Sequence, residues 1–219
     1  MAAAGSGERL GAGSPKAFVP LAGKPMVEWS IAAFRAVGVR SIVVACPPGH
    51  SDELPGDDLL LVAGGKTRSE SVSNALEMAE TELVAVHDAA RPLVTAALIQ
   101  ELIETLIQNP DVDGIIPATP AADTIKWSEV NKGRLIVGST FDRDRLWGAQ
   151  TPQVFPVVEL RGALAGDPAR VAAATDDAML VEMPVGRVLI HPSSPENFKV
   201  TTPLDLRVAE MVLSERSAQ

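Results

Sequence analysis

Short runs of consecutive apolar residues alternate along this chain with stretches in which apolar residues recur every three or four positions, a pattern that predicts strands alternating with helices. Val27, Ile31 and Phe34 fall on one face of a helix over 24–37, and the run over 39–46 reads as a buried strand. After a turn rich in Pro and Gly come a strand over 59–63, a helix over 69–80 with Val72, Leu76 and Ala79 on one face, and a strand over 82–87. A helix over about 95–108 aligns Leu98, Leu102 and Leu106, and a strand over 113–118 completes this alternation.

The pattern then changes. Over 119–153 the chain breaks into short extended pieces interrupted by Asn131-Lys132-Gly133, Gly138 and Pro152, which predicts a hairpin arm with too little apolar content for a core of its own. Helices near 156–166 and 176–183, a strand over 185–191 and an extended Phe198-Lys199-Val200 follow. A last helix has Thr202 at its N-cap and Pro203 at its first position. The whole predicts an α/β fold: a single Rossmann-like three-layer domain over 1–219 with a mostly parallel twisted sheet, from which the arm over 119–153 projects.

Composition narrows the function. The chain of 219 residues carries 19 Lys and Arg against 28 Asp and Glu, a net charge of -9, which argues against sequence-independent nucleic-acid binding. Any anionic ligand must therefore meet cations gathered locally. No apolar run approaches the roughly 20 residues needed to cross a bilayer, and the first residues lack an export leader, so a cytoplasmic protein with no membrane contact is expected. The single cysteine, Cys46, sits in an apolar run and excludes a disulfide framework or a cage of thiolates. His50, His87 and His191 have no metal-ligand spacing and read as structural.

The segment Ala3-Ala4-Gly5-Ser6-Gly7-Glu8-Arg9-Leu10, with Pro15-Lys16 beyond it, carries the strongest chemical signal. Two glycines let the backbone approach a polyphosphate, successive N–H groups can form a concave anion site, and Arg9 and Lys16 add full charges. The dinucleotide fingerprint fails because Leu10 stands where its third glycine belongs. Gly65-Lys66-Thr67 mimics the end of a Walker A loop, but Leu60 occupies the place of its first glycine.

Taken together with that loop, Gly64-Gly65-Lys66-Thr67-Arg68-Ser69-Glu70-Ser71-Val72 and Val86-His87-Asp88-Ala89-Ala90-Arg91-Pro92 carry a resemblance. So do Asp123-Thr124-Ile125-Lys126, Arg143 with Leu146-Trp147, Gln150-Thr151-Pro152-Gln153, Thr175-Asp176-Asp177-Ala178 and Phe198-Lys199-Val200-Thr201. Over nearly its whole length the chain resembles the 2-C-methyl-D-erythritol 4-phosphate cytidylyltransferase family of the non-mevalonate isoprenoid pathway. The resemblance implies a reaction of CTP with methylerythritol phosphate that releases pyrophosphate and requires Mg2+.

It also implies roles. Ala3, Ala4, Gly5, Ser6 and Gly7 would hold the triphosphate, Gly64, Gly65 and Ser71 would read the cytosine edge, and Asp88 with Ala89 would meet the ribose, Asp88 doubling as the metal contact. Arg9, Lys16 and Lys199 would stabilise charge growing on the phosphates. Arg91, Thr124, Arg143, Thr151 and Thr175 match the family's acceptor-binding positions, and Arg143 would act across a homodimer interface formed by the arm. One departure stands out: the family enters its Ala-Ala-Gly loop from a hydrophobic strand, whereas Met1 here lies just before that loop, and if that strand is absent a central sheet position is empty. Two other classes share part of the pattern, namely a ribitol phosphate or other sugar-phosphate nucleotidyltransferase and a non-catalytic nucleotide-binding subunit.

Overall fold

A computed structural model describes residues 1–5, 7, 10, 14–54, 56–182 and 185–217. The expected alternation is present. Two short strands, β1 (Pro20–Leu21) and β2 (Lys24–Pro25), lead into α1 (Met26–Val37), then β3 (Ile42–Cys46) and β4 (Leu59–Ala63). Next come α2 (Arg68–Leu76), β5 (Leu83–Val86), α3 (Ala96–Gln108) and β6 (Gly114–Pro120). The hairpin β7 (Lys126–Asn131) and β8 (Arg134–Thr140) precedes β9 (Trp147–Ala149) and β10 (Gln153–Pro156). The chain closes with α4 (Val157–Leu164), α5 (Pro168–Ala173), α6 (Ala178–Val181), β11 (Val188–Pro192) and α7 (Pro203–Ser217).

The sheets are mixed rather than mostly parallel. β3 pairs with β4, and β6 with β11, in parallel, but β10 runs antiparallel between β5 and β6, and β9 antiparallel on β6. The reason lies in Gln150-Thr151-Pro152-Gln153, a polar stretch that reads as the end of the projecting arm yet enters the centre of the fold because its polar atoms are satisfied there. Gln153 Nε2 donates to Asp176 at 2.9 Å, its Oε1 accepts the amides of Asp177 and Ala178, and Thr151 Oγ1 accepts the Asp88 amide at 3.0 Å. Val154 and Phe155 are both fully buried, one on each face of the sheet.

Alternation along these strands distributes the core. Ile115 and Val154 pack against Leu102 and Leu106 of α3, whereas the neighbouring Ile116 and Phe155 pack with Val72, Leu76 and Leu160 from α2 and α4. Both faces are therefore covered, which is why β3 and β6 read as near-continuous apolar runs rather than alternating ones. Val27, Ile31 and Phe34 of α1 fill a further cluster with Val44 and Ile99, as their spacing predicts.

Ala2 links the β3–β4 pair to the larger sheet, bridging in parallel to Ala45 on one side and to Asp88 on the other. Beside it, an apolar cavity of about 230 Å3 lies between the facing edges of β3 and β5, lined by Val43, Leu83, Ala85 and Val154 among others. The helix expected over 69–80 stops at Leu76, and 198–200 is not a strand. α5, whose one larger apolar residue is the half-buried Val171, carries no periodic apolar signal in the sequence. No helix of the described residues is long and apolar enough to cross a membrane.

Candidate functional site

The loops that leave the carboxyl ends of β4 and β5 converge with the N-terminal loop on one crevice, the position at which ligands bind in open α/β sheets. The N-terminal loop is seated first. Ala2 N–H donates to the His87 carbonyl, Ala3 N–H to that of Ala45, and Ala89 N–H returns to Ala2, so residues 2–4 are clamped between the ends of two strands. Lys16 N–H then closes the loop onto the Gly5 carbonyl at 3.1 Å. Gly7 has φ of 73°, and a side chain there would meet the Lys16 backbone nitrogen at 3.0 Å, so the turn admits glycine alone.

The second wall is the turn between β4 and α2. Gly64 N–H donates to Cys46 O at 2.7 Å, and a Cβ at this position would collide with Ala4, so the two loops approach as closely as they do because residue 64 has no side chain. Thr67 caps α2 by accepting the Glu70 amide at 3.1 Å. Ser71 accepts the Gly65 amide at 2.9 Å and donates to the Thr67 carbonyl at 3.0 Å, holding the turn in shape. The positive end of α2 thus faces the crevice.

The enclosed volume is about 360 Å3, lined by residues 2–5, Lys16, Ala17, residues 65–68, Ser71, residues 88–90 and Lys199. Four of those side chains are cationic, Lys16, Lys66, Arg68 and Lys199, against the single carboxylate of Asp88. In a chain of net charge -9, this is a local positive basin suited to a polyanion. Asp88 is held between two of the cations, with Arg68 Nε 2.9 Å from Oδ1 and Lys199 Nζ 2.7 Å from Oδ2. Burial alone would raise the Asp88 carboxyl, but the Arg68 and Lys199 charges outweigh it and hold the group well below the ordinary carboxylate range.

The crevice therefore unites Ala3, Ala4, Gly5, Lys16, Gly65, Ser71, Asp88, Ala89 and Lys199 from the sequence-derived set. Gly7 and Gly64 shape its walls from behind. Ser6 and Arg9 lie outside the described residues. Thr151 is buried beneath Asp88, bonded to its amide and to His87 Nδ1. Arg91 is also largely enclosed, its terminal nitrogens donating to the carbonyls of Asn197 and Ala149 at 2.8 and 3.2 Å. Thr124, Arg143 and Thr175 are exposed and do not line the crevice.

With this geometry in view, comparison with known proteins is decisive. The model of the 2-C-methyl-D-erythritol 4-phosphate cytidylyltransferase family matches residues 1–215. The chain belongs to that family. A cytidylyltransferase of this name from Nocardia farcinica is 40% identical over 223 residues, covering 99% of this chain and 93% of that protein. One from Acidobacterium capsulatum is 38% identical over 234 residues, covering 99% and 97%. The crystal structure of the cytidylyltransferase from Thermus thermophilus superposes with a TM-score of 0.80 at 32% identity, over 97% of both chains.

Membership in the cytidylyltransferase family makes the chain an enzyme, a nucleotidyltransferase with an α/β fold. Sequence reasoning about its site missed Arg68 and Asp177. Arg68 sits in the crevice wall with its Nη2 2.8 Å from Asp177 Oδ2, an ion pair that is not aligned as a hydrogen bond. Nothing local marks Arg68, since its carboxylate partners lie 20 and 109 positions away (88 - 68 and 177 - 68).

Proposed function

We infer that this chain joins CTP to 2-C-methyl-D-erythritol 4-phosphate, giving 4-diphosphocytidyl-2-C-methyl-D-erythritol and pyrophosphate in non-mevalonate isoprenoid biosynthesis. The observation that carries this reading is the net-positive crevice walled by the glycine loop and the α2 turn, in a chain of this family. A phosphate monoester has its second pKa near 6, so at pH 7 the acceptor is already a dianionic nucleophile and needs no general base. One of its oxygens attacks the α-phosphorus, the bond from that phosphorus to the bridging oxygen breaks, and the electron pair leaves with pyrophosphate.

The obstacle is charge, because two anions must meet while negative charge grows on the leaving group. Lys16 and Lys199 approach the crevice from opposite ends of the chain and neutralise that growth, and Arg9, outside the described residues, is the third cation that the sequence offers for this role. The backbone amide of Gly65 and the walls at residues 3–5 leave room for the triphosphate and base without a bulky side chain in the way.

Mg2+ fits this reading. It is commonly held by one or two carboxylates with the remaining positions taken by phosphates and water, and Asp88 supplies a carboxylate at the crevice wall. When bound, it would supply further charge neutralisation at those phosphates.

We further read the chain as a single Rossmann-like domain that works in the cytoplasm as a homodimer. The bridges of Ala2 to both halves of the sheet support one domain, and the buried unpaired thiol of Cys46 suits a reducing compartment. The hairpin supports the dimer. Val130, Leu135 and Val137 are 76%, 78% and 60% exposed, an apolar surface that calls for a partner. In that dimer Arg143 would complete the acceptor site of the other subunit, whose remaining contacts would come from Arg91, Thr124, Thr151 and Thr175.

The decisive test is pyrophosphate release with each of the four nucleoside triphosphates, crossed with methylerythritol phosphate and ribitol phosphate. Turnover with CTP and methylerythritol phosphate alone is expected. Turnover with ribitol phosphate in its place would move the chain to another acceptor class, and no turnover in any combination would overturn the reading.

A further inference from the structure

Four charged side chains link end to end from the crevice wall into the core. Lys199 meets Asp88 at 2.7 Å, Asp88 meets Arg68 at 2.9 Å, and Arg68 meets Asp177 at 2.8 Å. Two positive and two negative charges cancel, as a site so enclosed requires. The far end of this chain is the rigid one. Asp177 is fully buried, and its amide and that of Ala178 both donate to Oε1 of Gln153, itself buried in β10 at 1% exposure.

The near end is loose. Lys199 is 40% exposed at its side chain, so on its own it would leave the Asp88 carboxylate able to turn about its terminal torsion. Arg68 removes that freedom, because Nε takes Oδ1 while the guanidinium is anchored on Asp177. Burial would depress the Arg68 guanidinium, but Asp177 and Asp88 together raise it above its ordinary value, so it stays charged throughout the working range. We infer that Arg68 is a positioning residue: anchored on Asp177, it fixes the plane of the Asp88 carboxylate that meets the bound nucleotide. This rests on the nucleotide reading of the crevice given above.

The alternative role for an arginine in this wall is direct contact with a phosphate. The two roles differ in a measurable way. A residue that acts through Asp88 loses its effect once Asp88 is disabled, whereas an independent contact adds its cost to any other. The test is a double-mutant cycle on the full chain between Asp88→Asn and the charge-balanced pair Arg68→Met with Asp177→Asn. Calorimetric CTP affinity and kcat/KM for CTP are the readouts. Removing one positive and one negative charge together avoids an uncompensated buried ion.

The paired variant is expected to lower kcat/KM about 10-fold, Asp88→Asn about 100-fold, and all three substitutions together still about 100-fold. A combined loss near 1000-fold, roughly the product of the separate losses, overturns the positioning role. Should the paired variant not fold, Arg68→Lys preserves the charge count but cannot span both carboxylates, and the same non-additivity with Asp88→Asn is expected. Failure of the wild-type protein to bind CTP would instead overturn the nucleotide reading, so the two failures are distinguishable.

Discussion

Among single residues, Lys16 has the most to lose. Its amide pins the loop and its side chain lines the crevice, so replacing the side chain leaves the backbone hydrogen bond to Gly5 in place. Removing one charge that stabilises a growing oxyanion typically costs about 3 to 4 kcal/mol. Lys16→Ala should therefore turn over about 100- to 1000-fold more slowly by pyrophosphate release while melting within a few degrees of wild type. Near-normal turnover would remove Lys16 from the chemistry.

His87 acts on stability rather than chemistry. It is fully buried, bonded to Ser30, Thr151 and the Arg91 carbonyl, and burial above all lowers its pKa from 6.5 to about 3. The unfolded chain therefore binds one more proton than the folded one at pH values between these, and stability is complete above 6.5 and falls as the pH drops below it. The slope approaches about 1.4 kcal/mol per pH unit for one proton. Urea unfolding of the ligand-free protein between about pH 5 and 7.5 should show at least that slope in wild type, because burial also lowers the Met1 amino group to about 6, and His87→Gln should lose the His87 share of it, most clearly near pH 5. Parallel curves for the two proteins would assign the acid sensitivity elsewhere.

Elements differ in how openly their sequence declares them. α1 and α3 follow from apolar spacing, although the buried stripe of α3 is Ile99, Leu102 and Leu106, with Leu98 only partly enclosed. β10 was hidden, because Gln150, Thr151 and Gln153 are buried through hydrogen bonds to partners remote in sequence, and no pattern of hydrophobicity records that. The same holds for the site: the glycine loop and the α2 turn are legible because backbone shape demands particular residues locally. Arg68 is not, since its role exists only where three distant segments meet. α2 itself offers a check. The Thr67 hydroxyl accepts the Glu70 amide, so Thr67→Ala should cost about 1 kcal/mol. In a protein of this size that is a fall of roughly 2 to 4 °C in Tm. An unchanged Tm would mean that tertiary packing, not the cap, sets the start of this helix.

At the scale of the whole molecule, the question is whether one subunit suffices. Lys16 lines the crevice within its own chain, whereas Arg143 is exposed near the base of a hairpin whose apolar side chains lack a cover, and it does not reach that crevice. If Arg143 serves the partner's acceptor site, two separately inactive proteins should repair each other. In a mixed dimer of Lys16→Ala and Arg143→Ala, one site carries both defects and the other carries neither. Random reassortment of equal amounts makes half of all dimers mixed, so about a quarter of all sites regain wild-type composition. Activity on mixing should accordingly rise to about a quarter of the wild-type value after subunit exchange, with each variant alone reduced at least about 10-fold. An arginine acting within its own subunit predicts no recovery at any mixing ratio, because every site then keeps one defect.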